Sequence, residues 1–197
     1  HDALPILFII LIFLVGLGFI SYPTVSNLWN QAHQSRAIAT YSKQVEKLDD
    51  SENKKMLNAA RKYNKRLLKK SDHWKLSKKD KKKYESLLDV SGTGIMGYIE
   101  VPKIDCSLPI YHGTDEGALQ IAIGHLEGSS LPVGGKSTHC VLSGHRGLPS
   151  ARLFTDLDQM EEGDVFVLNA LGRKLAYEVD QIKVVLPDAM SDLEIVQ

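Results

Sequence analysis

The chain has 197 residues, 43% of them apolar and 24% charged, with few prolines and no low-complexity tract. That composition excludes a disordered chain and leaves room for one domain of ordinary size plus an anchor or an arm. The formal net charge is zero, but it is uneven: from Lys54 to Lys83 there are fourteen Lys/Arg against two acids, Asp72 and Asp80.

The first element is Ala3 to Ile20, ALPILFIILIFLVGLGFI, which carries no charge and no strong hydrogen-bonding side chain. As a helix it would extend ~27 Å, close to the hydrocarbon thickness of a bilayer. A cleaved signal peptide is the weaker reading, because Ser21-Tyr22-Pro23-Thr24 supplies no small-residue cleavage site. Residues 1–22 are therefore expected to be a transmembrane anchor, with Tyr22 and Trp29 suited to the interface beyond it.

From Asn30 to Lys70 the spacing is helical. Ile38, Tyr41, Val45 and Leu48 form one apolar stripe, and Met56, Ala60, Tyr63 and Leu67 form a second. Asp49-Asp50-Ser51-Glu52 separates them and offers N-cap residues for the second helix. Two amphipathic helices are expected, with the lysines on their solvated faces. A basic surface facing an anionic membrane is the alternative use. Nucleic acid is not an expected partner for a segment held beside an anchor outside the cell.

Beyond Val90 the character changes. Ser91-Gly92-Thr93-Gly94 reads as a junction, so residues 23–90 are taken as a helical arm and 91–197 as a β-domain. Strands are predicted at Tyr98–Ile104, Leu108–Tyr111, His139–Ser143, Asp164–Leu168 and Lys174–Leu186. Short helices are predicted at 115–123 and 151–160. Many short strands argue for a barrel or sandwich.

The two cysteines, Cys106 and Cys140, are too few for a disulfide scaffold and fit no zinc spacing. They read as small buried thiols, with a disulfide between them left open. Among the seven histidines, His1, His33 and His73 fall in the anchor flank or arm, and His112 and His125 sit beside glycines at element ends. None forms a metal pattern, so neither a metal nor another cofactor is expected. His145 differs: it ends the strand-like run Cys140-Val141-Leu142-Ser143 and lies between Gly144 and Arg146-Gly147. A titratable ring on a glycine-flanked rim suits general acid or base work.

Longer segments carry a resemblance. GYIEVPKI at 97–104, LPIYHGT at 108–114, GHLEGSSLPVGGKSTHCVLSGHRGLPSARLFTDLDQM at 124–160, GDVFVL at 163–168 and LAYEVDQIKVVLPDAMSDLEIVQ at 175–197 together resemble the class C, pilin-polymerising sortases of Gram-positive bacteria. The resemblance implies a mainly β fold, a closed eight-stranded barrel, incomplete here, preceded by the anchor and the two helices. It also implies a cysteine transpeptidase that cleaves a Leu-Pro-X-Thr-Gly-like sorting signal and joins pilin subunits through a thioester. The partners implied are pilins or surface proteins bearing that signal. The protein would sit in the cell membrane, by one span or two, with the catalytic domain outside the cytoplasm.

The family histidine maps to His145. The family's nucleophile lies in a Thr-Leu-X-Thr-Cys strand and its arginine in the strand after, and both are expected beyond Gln197; neither Cys106 nor Cys140 sits in such a motif. The chain alone is therefore expected to be inactive. The family's lid motif, Asp-Pro-Trp or Asp-Pro-Phe, corresponds to Asp72-His73-Trp74. Asp72 and Trp74 are the expected lid residues, with His73 in place of the proline that would fix φ. The competing readings are a housekeeping sortase that attaches proteins to peptidoglycan, and a non-catalytic membrane-tethered binding module.

Overall fold

A computed structural model of the chain describes residues 3–70, 72–186, 189 and 191–195. Helix α1 runs unbroken from Ala3 to Glu46 and contains Pro23. Anchor and first amphipathic segment are thus one rod, not two pieces. Its leading apolar side chains touch nothing else: Phe8, Phe13, Phe19 and Ile20 are all exposed. An apolar surface of that extent is stable only against lipid or a partner. Further along, Tyr41 and Val45 are buried against Ile95. The Tyr41 hydroxyl donates to Met96 O and accepts from Leu171 N, both at 3.0 Å, bolting α1 to the sheet.

Helix α2, Asp50–Leu67, opens with the capping box expected from the sequence: Asp49 accepts from Glu52 N while the Glu52 side chain takes the Asp49 amide. It buries Ala60, Tyr63 and Leu67 in the main core. Asn64 on the same face is buried too, and its amide bonds both backbone groups of Leu131. A third helix, α3, Lys78–Glu85, was not expected; its eight residues carry five lysines and bury one side chain, Tyr84. A helix so polar shows too little periodicity to be read locally.

One sheet of six strands follows: β1 Ile95–Val101, β2 Cys106–His112, β3 Ile123–His125, β4 Leu142–Ser143, β5 Val165–Ala170 and β6 Arg173–Glu178. Their order is β4-β3-β2-β1-β5-β6. All neighbours are antiparallel except β2 and β3. Met96, Ile99, Leu108, Ile110, Ile123, Leu131 and Leu168 form the core with α2 and Tyr84.

Several predicted boundaries need correction. The first strand stops at Val101, because Pro102 starts a 3₁₀ turn that ends with Asp105 at φ 48°. The helix predicted at 115–123 shrinks to α4, Glu116–Leu119, and its end becomes β3. In β3 a Cβ on Gly124 would lie 2.2 Å from Gly113 O, so only glycine lets the two segments close. The strand predicted at His139–Ser143 is reduced to Leu142–Ser143. No strand continues past Glu178 among the described residues, and Ile182, Val184 and Leu186 are exposed.

The expected closed barrel is represented by an open sheet of six strands, with β4 and β6 at its edges. "Mainly β" describes the part after residue 94 only, because α1 alone, with 44 residues, outnumbers the six strands together.

Candidate active site

His145 lies two residues past β4, half-buried, on a loop whose frame is set by the neighbouring motif residues. A Cβ on Gly144 would meet Ile123 Cγ2 at 2.7 Å and the Phe154 ring at 2.8 Å. Glycine therefore brings the backbone of His145 onto the core. The His145 carbonyl accepts from Phe154 N at 3.1 Å. Gly147, at φ 75°, donates its amide to Thr155 Oγ1 at 3.1 Å. Arg146 donates to Thr155 O and pairs with Asp158. Its charge is thus engaged in holding the loop. The His145 ring has no hydrogen-bond partner among the described residues, so it is available to a ligand.

The helix predicted at 151–160 is replaced by this frame. Leu153 has φ 36°, and only Leu157–Gln159 forms a 3₁₀ turn. The first amides of the segment have partners outside it: Arg152 N donates to Asn27 Oδ1 at 2.9 Å, and Phe154 N to His145 O. Ser26 Oγ and Asn30 Nδ2 both donate to Ser150 O, at 3.1 and 2.7 Å. Three side chains of α1 thus grip the loop that carries His145. Ser26 and Asn30 lie ~9 and ~15 Å beyond Ile20 along the helix axis. The grip was invisible in sequence, because its members are about 125 residues apart, as for Asn27 and Arg152.

Neither cysteine is built for nucleophilic attack. Burial pushes the Cys106 thiol up to about 11 and the Cys140 thiol up to about 12, away from the thiolate. Cys106 Sγ faces Leu153 O at 3.8 Å, and both thiols are free. This agrees with reading them as structural. No group of three or more metal-ligating side chains occurs among the described residues.

Among the described residues no hydrogen bond or ion pair joins Asp72 or Trp74 to His145. Asp72 is exposed and pairs with Lys75 at 3.4 Å. Trp74 is half-buried and donates its indole N–H to Glu194 at 3.1 Å. Between them His73 is buried, with Nδ1 at 2.9 Å from Gly128 O and Nε2 at 3.2 Å from Glu194. A Cβ on Gly128 would come 2.5 Å from His73 O, so that glycine seats the segment. The contacts from Trp74, then His73, hold the Glu194 carboxyl below its usual range. His139, six residues before His145, donates from Nδ1 to the Glu194 carbonyl at 3.0 Å. Glu194, absent from the sequence-based site, joins the 72–74 segment to the non-strand segment at His139 that leads into β4 and His145.

A Sortase domain family model matches residues 99–196. The chain is similar to sortase C1 of Streptococcus agalactiae, with 49% identity over 82% of this chain and 84% of that one and a TM-score of 0.80. A Clostridium perfringens sortase C solved with the C-terminal cell wall sorting motif is 40% identical, over 82% of this chain and 83% of that one, with a TM-score of 0.69. Sortase C of Streptococcus pneumoniae is 38% identical, covering 82% of each chain, with a TM-score of 0.69. Sortase D of Bacillus subtilis is 35% identical over 95 residues, 48% of this chain and 45% of that protein, so the match spans under half of that relative's length.

Proposed function

Because the chain belongs to the sortase family, we propose that it supplies the histidine and lid of a membrane-anchored class C transpeptidase that polymerises pilins. The observation that carries this reading is the framed His145 loop within a fold that matches sortase C1 at a TM-score of 0.80. The likeness to a sortase C solved with a sorting motif supports a Leu-Pro-X-Thr-Gly-like signal as the substrate.

In the proposed reaction a cysteine thiolate attacks the Thr carbonyl of the signal. The C–N bond to Gly breaks, His145 gives its proton to the leaving amine, and a thioester remains. An incoming lysine amine then loses a proton to His145 and displaces the thiolate, forming an isopeptide bond. The Thr-Leu-X-Thr-Cys motif of the nucleophile does not occur in residues 1–197, and the burial of Cys106 and Cys140 argues against both. The test is to incubate the full-length protein with a sorting-signal peptide and a lysine-bearing acceptor peptide. A covalent acyl adduct by mass spectrometry, followed by the joined peptides, is the expected result. A folded protein that forms no adduct would overturn the proposal.

The grip of α1 yields a second expectation. Ser26→Ala, Asn27→Ala and Asn30→Ala combined free the 150–152 backbone from α1 and let the His145 loop drift. Misplacing a catalytic group by about 1 Å costs up to about 100-fold in rate. Turnover is expected to fall with KM little changed. Equal losses in both, or none, would return α1 to the role of a tether alone.

A further inference from the structure

The positive charge of the chain is gathered on one surface. Between Glu52 and Glu85 stand fourteen Lys/Arg and two acids, while the rest of the chain holds ten against twenty-two. Helix α2 turns Ala60, Tyr63 and Leu67 into the core and α3 turns Tyr84, which leaves the cations facing outward. On α2 Arg61 and Lys65 form one exposed row and Lys62 and Arg66 a second, the members of each row ~6 Å apart along the axis. On α3 Lys78, Lys79, Lys82 and Lys83 are all exposed. The two helices lie side by side. The Tyr63 and Tyr84 rings stand 6.1 Å apart, and Asp80 of α3 meets Lys70 at 3.0 Å and Arg66 at 3.6 Å. We propose that this joint surface of α2 and α3 binds a linear polyphosphodiester of the space outside the membrane.

A helix face that is merely solvated mixes both signs. Here the charges repel one another: Lys78 faces Lys82, and Lys79 faces Lys83, each pair four residues apart. Among the described residues only Arg66, Lys70, Lys75 and Lys81 of the fourteen belong to an ion pair. Such a surface gains most from a ligand that brings many negative charges on one chain. The chemistry of the surface also favours a polymer over an acidic protein. Protein interfaces centre on aromatic residues, Met and Arg and are poor in Lys. Twelve of these fourteen cations are Lys, and no large apolar side chain between Glu52 and Glu85 is exposed among the described residues. Lysine is a hydrated point charge that follows a flexible phosphate chain and releases its counterions.

The place of the surface along α1 argues against the bilayer as its partner. Tyr41 lies ~32 Å beyond Ile20 along the helix axis. Its hydroxyl accepts from Leu171 N, and Leu171 O accepts from Asn53 Nδ2 at 3.1 Å, so the first turns of α2 stand at that level. Tyr111 packs on the cluster of Tyr41 and Val45, and the next residue, His112, bonds Leu87 O at 2.7 Å, just past α3. Both ends of the basic arm are thus tied ~30 Å beyond the apolar run, of which the headgroup layer takes roughly 5–8 Å. Salt screens charges over about 8 Å. Lipid phosphates are too far away, whereas a polymer outside the membrane reaches the surface freely. This choice of partner rests on α1 being the anchor, and it is independent of the transpeptidase reaction.

The experiment uses the full-length protein held in phosphatidylcholine vesicles, with labelled poly(glycerol phosphate) as the probe and co-sedimentation as the readout. Binding is expected, and it should weaken roughly 100-fold or more between 50 and 200 mM salt. Arg61, Lys62, Lys65, Lys79, Lys82 and Lys83, none of them ion-paired among the described residues, are changed together to Gln, which keeps helix propensity. Affinity at 50 mM salt should fall roughly 100-fold, and the slope of log affinity against log salt should flatten by about four. The three α3 changes alone, which spare α2 if the larger set unfolds, should flatten it by about two. Changing Lys43, Lys47, Lys136 and Lys174, exposed elsewhere, should alter affinity by less than about three-fold. No binding in the parent, or an equal loss per charge in that control, overturns the proposal. Polyglutamate bound as tightly would assign the surface to an acidic protein, and release of the probe by phosphatidylglycerol in the vesicles would assign it to lipid; either overturns it. Peptide transpeptidation should be unchanged in the six-residue variant, so the polymer site and the proposed function fail separately.

Discussion

Replacing His145 with alanine in the full-length protein is expected to slow transpeptidation about 10²–10⁴-fold, the range for a positioned proton-transfer group. Stability should be little affected. The ring is half-buried and bonds to nothing among the described residues. The contact that organises the loop uses the carbonyl of residue 145, which accepts from Phe154 N and survives the substitution. Gly144 and the Arg146–Asp158 pair also remain. The measurement is turnover of a sorting-signal peptide beside a thermal melt of the same preparation. Turnover within a few-fold of the parent would remove His145 from the mechanism. A collapsed melting transition would mean that the ring is part of the core.

Acid is expected to destabilise the fold well before its carboxylates titrate, through a different histidine. His125 is fully buried on β3, with Nε2 at 2.9 Å from Ser130 O and Nδ1 at 2.9 Å from the Tyr84 hydroxyl. A carbonyl can only accept, so Nε2 carries the proton, while Nδ1 and the His125 carbonyl, at 2.9 and 3.0 Å, share the Tyr84 hydrogen. The neutral ring is satisfied, and burial pulls its pKa down to about 4. Above the ordinary value of about 6.5 the ring is neutral both folded and unfolded, and pH has no effect through this group. Between there and pH 4 the unfolded chain binds a proton that the native state refuses, so stability falls as pH drops. The shift from about 6.5 to about 4 corresponds to a loss of about 3 kcal/mol. Denaturant unfolding at pH 7 and pH 4.5 measures it. His125→Gln, which has nothing to titrate there, should lack most of the difference. An equal acid loss in that variant would assign the effect to other groups.

How much of this was legible in the sequence follows from how local each feature is. The apolar run from Ala3 to Ile20, the stripes on α1 and α2 and the cap at Asp49 depend on residues within a few turns of one another, and periodicity finds them. The loop that carries His145 was legible because SGHRGLPSARLF is contiguous: the glycine, the arginine and the partners Phe154 and Thr155 that frame it lie within ten residues of position 145.

Only the tertiary structure decided the rest. Residues 151–160 have helical spacing but no helix beyond a short turn, because Leu153 sits at φ 36° while Asn27 and His145 hold the backbone on either side of it. β3 is three residues, all buried, with no alternation to detect, and it exists because Gly113 and Gly124 approach across the sheet. His125 read as an ordinary histidine at an element end and proved to be a sealed neutral ring, since Tyr84 comes from a helix too polar to be noticed. His73 read as a lost proline, and it gained its meaning from Glu194, 121 residues away. A pattern in sequence reports what repeats along the chain. These contacts join single residues across it, and the fold alone brings them within hydrogen-bond reach.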